Sequence, residues 1–275
     1  MELALICPVQ HIEMTSILAG RFCIAPIALQ HEEYRNFFIA AQDVILDNGV
    51  FENHVIDYTH YAQLVDAIQP KVVIAPDIIG GDADENFRCS LRAAKQLKQD
   101  FPDIQVMFVP QCRRGDFLGF ENALDTCADE VAFDYIGICR DAVYNAYGQF
   151  TNTKDQELNR FYFAAVTNSS GRITRLLEAG KKFHFLGIGD HIDLIQYYWF
   201  VESMDTASLF WQSYLGQELQ NGLLPTCLKR PKDYFTRPYP TSENLNMLIE
   251  ENCIKAQQYA DMATALKGDI TQGRL

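Results

Sequence analysis

The sequence predicts an α/β chain folded as a (β/α)8 TIM barrel with a C-terminal helical extension. Eight short apolar runs alternate with mostly helical segments along 275 residues, the order expected of a parallel barrel. Several runs stop abruptly at Asp, Gln or Gly, as in Val44-Ile45-Leu46 before Asp47-Asn48-Gly49, which is how a buried strand bounded by turn chemistry reads. No G-x-G-x-x-G follows the first run and no phosphate-binding Gly/Lys loop is present, so a doubly wound open sheet is the runner-up.

The elements follow in order. Leu3 to Val9 reads as strand one and Phe22 to Leu29 as strand two, with a short helix from His31 to Ala41. Strand three is Val44 to Asp47, and a helix from Tyr58 to Gln69 is stopped by Pro70. Strand four, Lys71 to Asp77, leads through Ile78-Ile79-Gly80-Gly81 to a helix over Asp84 to Gln99 with an acidic first turn. Strand five is Ile104 to Gln111, followed by a helix from Phe117 to Ala128, and strand six is Phe133 to Arg140. Tyr147 to Asp155 is polar and loop-like, and helical patterns cover Gln156 to Val166 and Arg172 to Ala179. Strand seven is Lys182 to Ile188, a helix spans His191 to Val201, and Met204 to Leu209 is a short strand eight. A Pro- and Lys/Arg-rich segment, Leu224 to Pro240, precedes an amphipathic helix over Ser242 to Leu266. The expected division is a catalytic barrel at 1–215 and a basic and aromatic segment with a helix at 216–275 packed on it.

Composition narrows the function classes. Hydrophobic residues make up 48% of the chain, enough for a sizeable core. The net charge of −13 makes it a poor non-specific nucleic-acid binder, so any polyanion must meet a local basic patch. None of the eight cysteines forms a C-x-x-C pair, and several lie in apolar runs. That is the pattern of reduced core thiols and points to a cytoplasmic location. The N-terminal MELALICPV lacks the basic region of a signal peptide, and no run is long enough to span a membrane.

A barrel carries its chemistry at the C-terminal ends of its strands. Those ends offer Asp47, Asp77, Gln111, Gly137 with Arg140, Gly187-Ile188-Gly189 and Asp205. Three carboxylates and an amide would share one mouth. Two carboxylates aimed at one carbon serve glycosyl transfer with retention, and a third with an amide would bond the edge of a polar heterocycle. Each residue also has a plainer reading. Asp47 would start an Asx turn, Asp77 would cap or turn, Gln111 would be loop, and Asp205 would be an N-cap with Ser203.

The set DNGVFE, APD, VPQ, YIG, FLGIG and MDT, in this order over roughly residues 1 to 210, resembles the tRNA-guanine transglycosylase superfamily. The resemblance implies a general acid/base at Asp47 and a nucleophile at Asp205. It implies base recognition by Asp77, Gln111 and the Gly137 backbone, with Phe51 and Leu186 covering the two faces of the base and Asn48 and Gly187 beside them. Asn48, Val50 and Glu52 replace the family's Ser, Gly and Gln, and Cys112-Arg113 stands where a glycine pair is usual. Members acting on tRNA continue into a Cys-x-Cys-x-x-Cys zinc subdomain with a later His. After Asp205 this chain has only Cys227 and Cys253 and no histidine, so no such metal site is expected.

A short, zinc-less member looks like the DNA-modifying branch often called DpdA, many of whose members are phage-encoded. That branch exchanges guanine in DNA for a 7-deazaguanine base (preQ0- or preQ1-like) through a covalent aspartyl–deoxyribosyl intermediate, with no metal or organic cofactor. The implied partners are DNA, with tRNA the alternative, and the free 7-deazaguanine base. A non-catalytic partner subunit is the reading from a different class. Candidate phosphate contacts are Arg113, Arg114, Lys229, Arg230, Lys232 and Arg237, with Arg172, Arg175, Lys181 and Lys182 as further basic groups. Tyr234, Phe235 and Tyr239 interleave the tail run as possible base stackers, against a plainer reading as surface cover. His184 and His191, without a carboxylate or Cys at ligand spacing, read as pocket edge or surface.

Overall fold

The computed structural model describes residues 1–52, 56–224 and 229–274. Its strands are β1 (Glu2–Leu5), β2 (Arg21–Ile24), β3 (Val44–Asp47), β4 (Val72–Ile74), β5 (Gln105–Phe108), β6 (Tyr135–Cys139), β7 (Lys182–Leu186) and β8 (Val201–Thr206). The helices are α1 (Ala25–Gln30), α2 (Glu32–Ile39), α3 (Tyr58–Ile68), α4 (Ala83–Asp100), α5 (Phe117–Asp129), α6 (Arg140–Thr151), α7 (Gln156–Ser169), α8 (Arg172–Glu178), α9 (Ser208–Tyr214) and α10 (Glu243–Thr271). All pairings between strands are parallel, in the order β1-β8-β7-β6-β5-β4-β3-β2.

The ring closes where Ala4 bridges Gly20, with the Gly20 N–H donating to the Leu3 carbonyl at 2.9 Å. Followed strand by strand around the ring, the registers return eight residues out of step at this bridge, the shear of a TIM barrel. Phe22 on β2 stacks on His184 of β7 at 5.6 Å. These strands are not neighbours, so the two rings meet across the interior. The (β/α)8 barrel with its C-terminal helix is therefore the observed fold.

Local chemistry explains the boundaries. Asp57, Asp82, Asp116, Asp155 and Ser242 each accept a backbone N–H in the first turn of α3, α4, α5, α7 and α10. α3 stops before Pro70, as the sequence predicts, and Gln69 caps it in the left-handed region.

Several expectations are corrected. Strand two stops at Ile24, and the rest of its apolar run is α1, because Pro26 fits a first helical turn, where no N–H is needed. Residues 147–151 belong to α6, which ends at Asn152 with φ 52°. The helix expected over His191 to Val201 is a shorter 3-10 turn, Ile192–Tyr197. Strand eight begins at Val201, and Ser208 already opens α9.

The terminal segment packs on the barrel. Leu245, Ile249, Cys253 and Ala256 of α10 join the single core cluster. Tyr234 donates its hydroxyl to the Ile6 carbonyl at 2.9 Å, and the Val9 N–H donates to the Phe235 carbonyl at 2.9 Å. Residues 225–228, with Cys227, lie outside the described residues.

The closing bridge yields a test. A Cβ on Gly20 would lie 2.8 Å from the Leu3 carbonyl oxygen and 3.0 Å from the Ala4 Cβ. Gly20→Val is expected to lower the unfolding free energy by about 1–3 kcal/mol in urea titrations. Gly268→Ala, at a helical position with nothing within 4 Å of the added carbon, is expected to leave it unchanged or raise it.

Candidate active site

The site begins with an irregularity between β7 and β8. Phe183 pairs with Val201 but His184 pairs with Ser203, so Glu202 is an extra residue on β8. Such a bulge re-aims the side chains beyond it. Ser203 and Asp205 thereby lie on the same side as His184, in the interior. His184 Nε2 is 3.0 Å from Asp205 Oδ1, and its Nδ1 is 2.8 Å from Ser203 Oγ. The Gly187 N–H also donates to Asp205 Oδ1, at 3.0 Å. Asp205 is 4% exposed and His184 0%. A carboxylate oxygen so buried needs hydrogen-bond donors to offset its lost hydration. The N-cap reading of Asp205 does not hold, because it lies inside β8 and Ala207 caps α9.

Gly187 belongs to a loop held from below by buried charge. Glu157, on the first turn of α7, accepts the Gly189 N–H at 2.8 Å and lies 3.4 Å from Arg140 Nη1 and 3.9 Å from Arg160 Nη1. Arg160 donates to the carbonyls of Leu186 at 2.6 Å and Gly187 at 3.2 Å, with its guanidinium over the Phe185 ring. Gly187 has φ 65°, and a Cβ on Gly189 would run into Arg140 Nη1. Glycine at both positions lets the loop lie against this network.

On the other side of the mouth, Asp77 sits between two amides. Asn48 Nδ2 donates to its Oδ1 at 2.9 Å and Gln111 Nε2 to its Oδ2 at 2.7 Å. Asn48 also donates to the Ala75 carbonyl at 2.9 Å, fixing its plane. Asp77 and Gln111 lie in the loops after β4 and β5 rather than in the strands, because Pro76 and Pro110 end the pairing. Asp77 does not cap a helix, since Asp82 caps α4, while Gln111 is in a loop as its plainer reading has it, but it is 1% exposed and bonded to Asp77. Gln111 Oε1 is buried without a partner among the described residues. Burial raises the Asp77 carboxyl above its ordinary value, and the hydrogen bonds from Asn48 and Gln111 oppose that rise.

Asp47 ends β3, half-buried at the same mouth, and its Oδ2 accepts the Gly49 N–H at 3.0 Å. The Asx turn foreseen for it is therefore present. Phe51 is 55% exposed on the rim. Gly137 lies inside β6, where a Cβ would meet Met107 Sδ at 2.8 Å, Val109 Cγ2 at 2.9 Å and Leu186 Cδ1 at 3.2 Å. Those three side chains pack against it, so any larger residue there would have to displace them.

The basic groups divide. Arg113 is exposed, 3.8 Å from Asp82, and Arg114 bonds Tyr144, both on the loop after β5 at the mouth. Lys229 and Lys232 are exposed, Arg230 lies over the Tyr234 ring, and Arg237 pairs with Asp233. The contacts of Tyr234 and Phe235 with residues 6 and 9 fix that segment beyond the C-terminal end of β1. Arg172 and Arg175 instead pair with Asp125, buried Lys181 donates to the Glu130 and Phe133 carbonyls, and Lys182 lies over Tyr135. They are spent on the fold. Tyr234 and Tyr239 are buried against Phe210 and Trp211, so they do not stack on bases.

Sequence reasoning missed the residues that support the site. His184 is not at the pocket edge: it is fully buried and has a carboxylate partner. His191 lies 3.2 Å from Asp155 and 3.9 Å from Asp193. His184 and Asp205 alternate with core residues on strands now known to be neighbours, a signal that needs the strand pairing. Sequence reasoning names Arg140 at the end of strand six but not for this role, and it does not single out Glu157 and Arg160, because all three are distant in sequence from the loop they hold. Among the described residues no cluster of His, Cys, Asp and Glu is arranged to hold a metal ion, and no helix is long and apolar enough to cross a membrane.

No family model and no curated protein matches the chain. Among solved structures, it is similar to a crystal structure of a variant of the citrate synthase SbnG, at 16% identity and a TM-score of 0.39, over 68% of this chain and 84% of that one. That likeness concerns the fold alone.

The raised Asp77 carboxyl has a consequence with a defined sign. The folded protein keeps this proton at pH values where the unfolded chain, near 3.8, has released it. This contribution to stability is full below 3.8 and is lost as pH rises through the raised value. The stability of the wild type minus that of Asp77→Asn is therefore expected to fall across the carboxylate range and then level off, as read from urea titrations at stepped pH.

Proposed function

We propose that the chain is a pentosyltransferase that exchanges guanine in DNA for a 7-deazaguanine base. The observation that carries this reading is the meeting, at one end of the barrel, of a clamped buried carboxylate, Asp205, with an amide-held carboxylate, Asp77, beside an unpartnered buried acceptor on Gln111. The motif resemblance supplies the chemistry.

The steps follow from these groups. A guanine is flipped from the duplex into the mouth. Asp77 and Gln111 Oε1 accept from its N–H edge, the Gly137 backbone completes the recognition, and Leu186 and Phe51 cover its faces. Asp205 attacks C1′, forming a C–O bond as the C1′–N9 bond breaks, and guanine leaves with a proton from Asp47. The deazaguanine takes the vacated place. Asp47 removes its N9 proton as that nitrogen attacks C1′ and Asp205 departs as carboxylate. Two displacements at one carbon retain configuration. Asn48 holds Asp77, and Gly187 holds Asp205. Arg113, Arg114, Lys229, Arg230, Lys232 and Arg237 flank the mouth and would take the phosphates.

The test is exchange of radiolabelled guanine, and of free deazaguanine bases, into duplex DNA and tRNA in parallel, followed by nucleoside mass spectrometry. Incorporation into DNA is expected, lowered at least about 10³-fold in Asp205→Asn and in Asp47→Asn. Incorporation into tRNA alone moves the substrate to RNA. No incorporation into either, or full activity of Asp205→Asn, overturns the reading.

A further inference from the structure

Asp205 has two carboxylate oxygens, and the structure treats them differently. Both of its side-chain hydrogen bonds, from Gly187 N–H and from His184 Nε2, converge on Oδ1 at 3.0 Å. Oδ2 has no hydrogen bond among the described residues. One donor is backbone in a loop pinned by Glu157 and Arg160. The other is an imidazole fixed at three points: Ser203 Oγ at 2.8 Å from Nδ1, the Phe22 ring stacked 5.6 Å away at an interplanar angle of 13°, and the carboxylate itself. The carboxylate accepts, so Nε2 carries the proton, and Nδ1 then accepts from the Ser203 hydroxyl.

From this geometry we infer that His184 is a positioning residue for Asp205: its Nε2–H, set by Ser203, holds Oδ1 so that Oδ2 alone is presented to the sugar carbon. This rests on the transglycosylase reading for what Oδ2 attacks, but not for the hydrogen-bond arrangement. When Asp205 attacks C1′ through Oδ2, Oδ1 becomes the ester carbonyl and keeps its two donors. When the incoming base displaces Asp205, charge returns to the carboxylate and the same donors receive it. His184 therefore acts on the rate of both displacements and not on capture of the base, which is the work of Asp77 and Gln111.

Two replacements separate this role from simple packing. His184→Phe keeps a ring against Phe22 and removes the donor. His184→Gln places an amide N–H the same number of bonds from the backbone as Nε2. In the exchange assay His184→Phe is expected to lower kcat roughly 10–100-fold with the KM for the free base unchanged, and His184→Gln to recover most of the loss. An unchanged kcat in His184→Phe, a loss confined to KM, or no recovery in His184→Gln overturns the inference. A second measurement needs neither activity nor a folded variant. In ¹⁵N-resolved spectra of the wild-type protein at neutral pH, His184 is expected as the Nε2–H tautomer, and the Nδ1–H tautomer overturns the inference. A wild type inert toward DNA and tRNA, with His184 showing the Nε2–H tautomer, defeats the proposed reaction and leaves the positioning of Asp205 standing.

Discussion

Closure of the sheet at the hydrogen bond from Gly20 to Leu3 is the constraint on which the site depends. The seam lies between the strands that carry the two carboxylates proposed above for catalysis. Asp205 on β8 sits beside Ala4 on β1, Ala4 bridges Gly20, and Ile24 on β2 sits beside Asp47 on β3. Gly20 to Ile24 rises about 13 Å along the strand direction, or roughly 11 Å along the axis of a barrel whose strands tilt by about 36°. Three steps across such tilted strands, taken against the stagger, descend roughly 8 Å. The two effects nearly offset each other, so Asp47 and Asp205 come to similar heights. A sheet left open at the seam would fix neither. A side chain at Gly20 would thus disturb stability and the relation of the two carboxylates together.

The second constraint is the glycine loop after β7. Its N–H groups serve two buried carboxylates, Gly187 bonding Asp205 and Gly189 bonding Glu157. Glu157 lies between Arg140 and Arg160, and Arg160 returns to the loop through the Leu186 and Gly187 carbonyls. Removing one member of such a set leaves an uncompensated buried charge, which costs about 3–5 kcal/mol. The network is therefore weak evidence of stability gained and stronger evidence that one loop geometry is enforced. That geometry places a backbone donor on Asp205 without using any side chain at the mouth, which stays free for a base.

Much of the fold was legible because parallel strands buried on both faces read as short apolar runs, and because Asp, Ser and Pro mark helix ends. The errors have specific causes. Pro26 allowed an apolar run to split into β2 and α1, and Ser208 opened α9 where Met204 to Leu209 read as one strand. The positions of Asp47, Asp77, Gln111 and Asp205 at one mouth followed from strand order. His184 did not follow, because its partner Asp205 is 21 residues away and comes into reach only through the bulge at Glu202. Nor did the burial of Tyr234 and Tyr239, since a run alternating aromatic and basic residues looks the same whether the rings face bases or the core.

The charge distribution bears on how a polyanion would be used. The chain carries a net charge of −13, and four of the ten basic residues considered as contacts are engaged within the fold. What remains at the mouth is a small set on two segments, partly paired with Asp82 and Asp233. Few phosphate contacts mean modest non-specific binding with a shallow salt dependence. On the reading proposed above, most of the recognition energy then lies in the pocket, in the hydrogen bonds of Asp77 and Gln111. Free base and nucleotide base compete for that same pocket, and exchange demands such competition: the departing guanine must leave before its replacement can enter. An extensive basic surface would slow release of the polymer without improving the choice of base. If the proposed exchange is the chain's reaction, its acidic balance would put discrimination at the amide-held carboxylate rather than along the backbone.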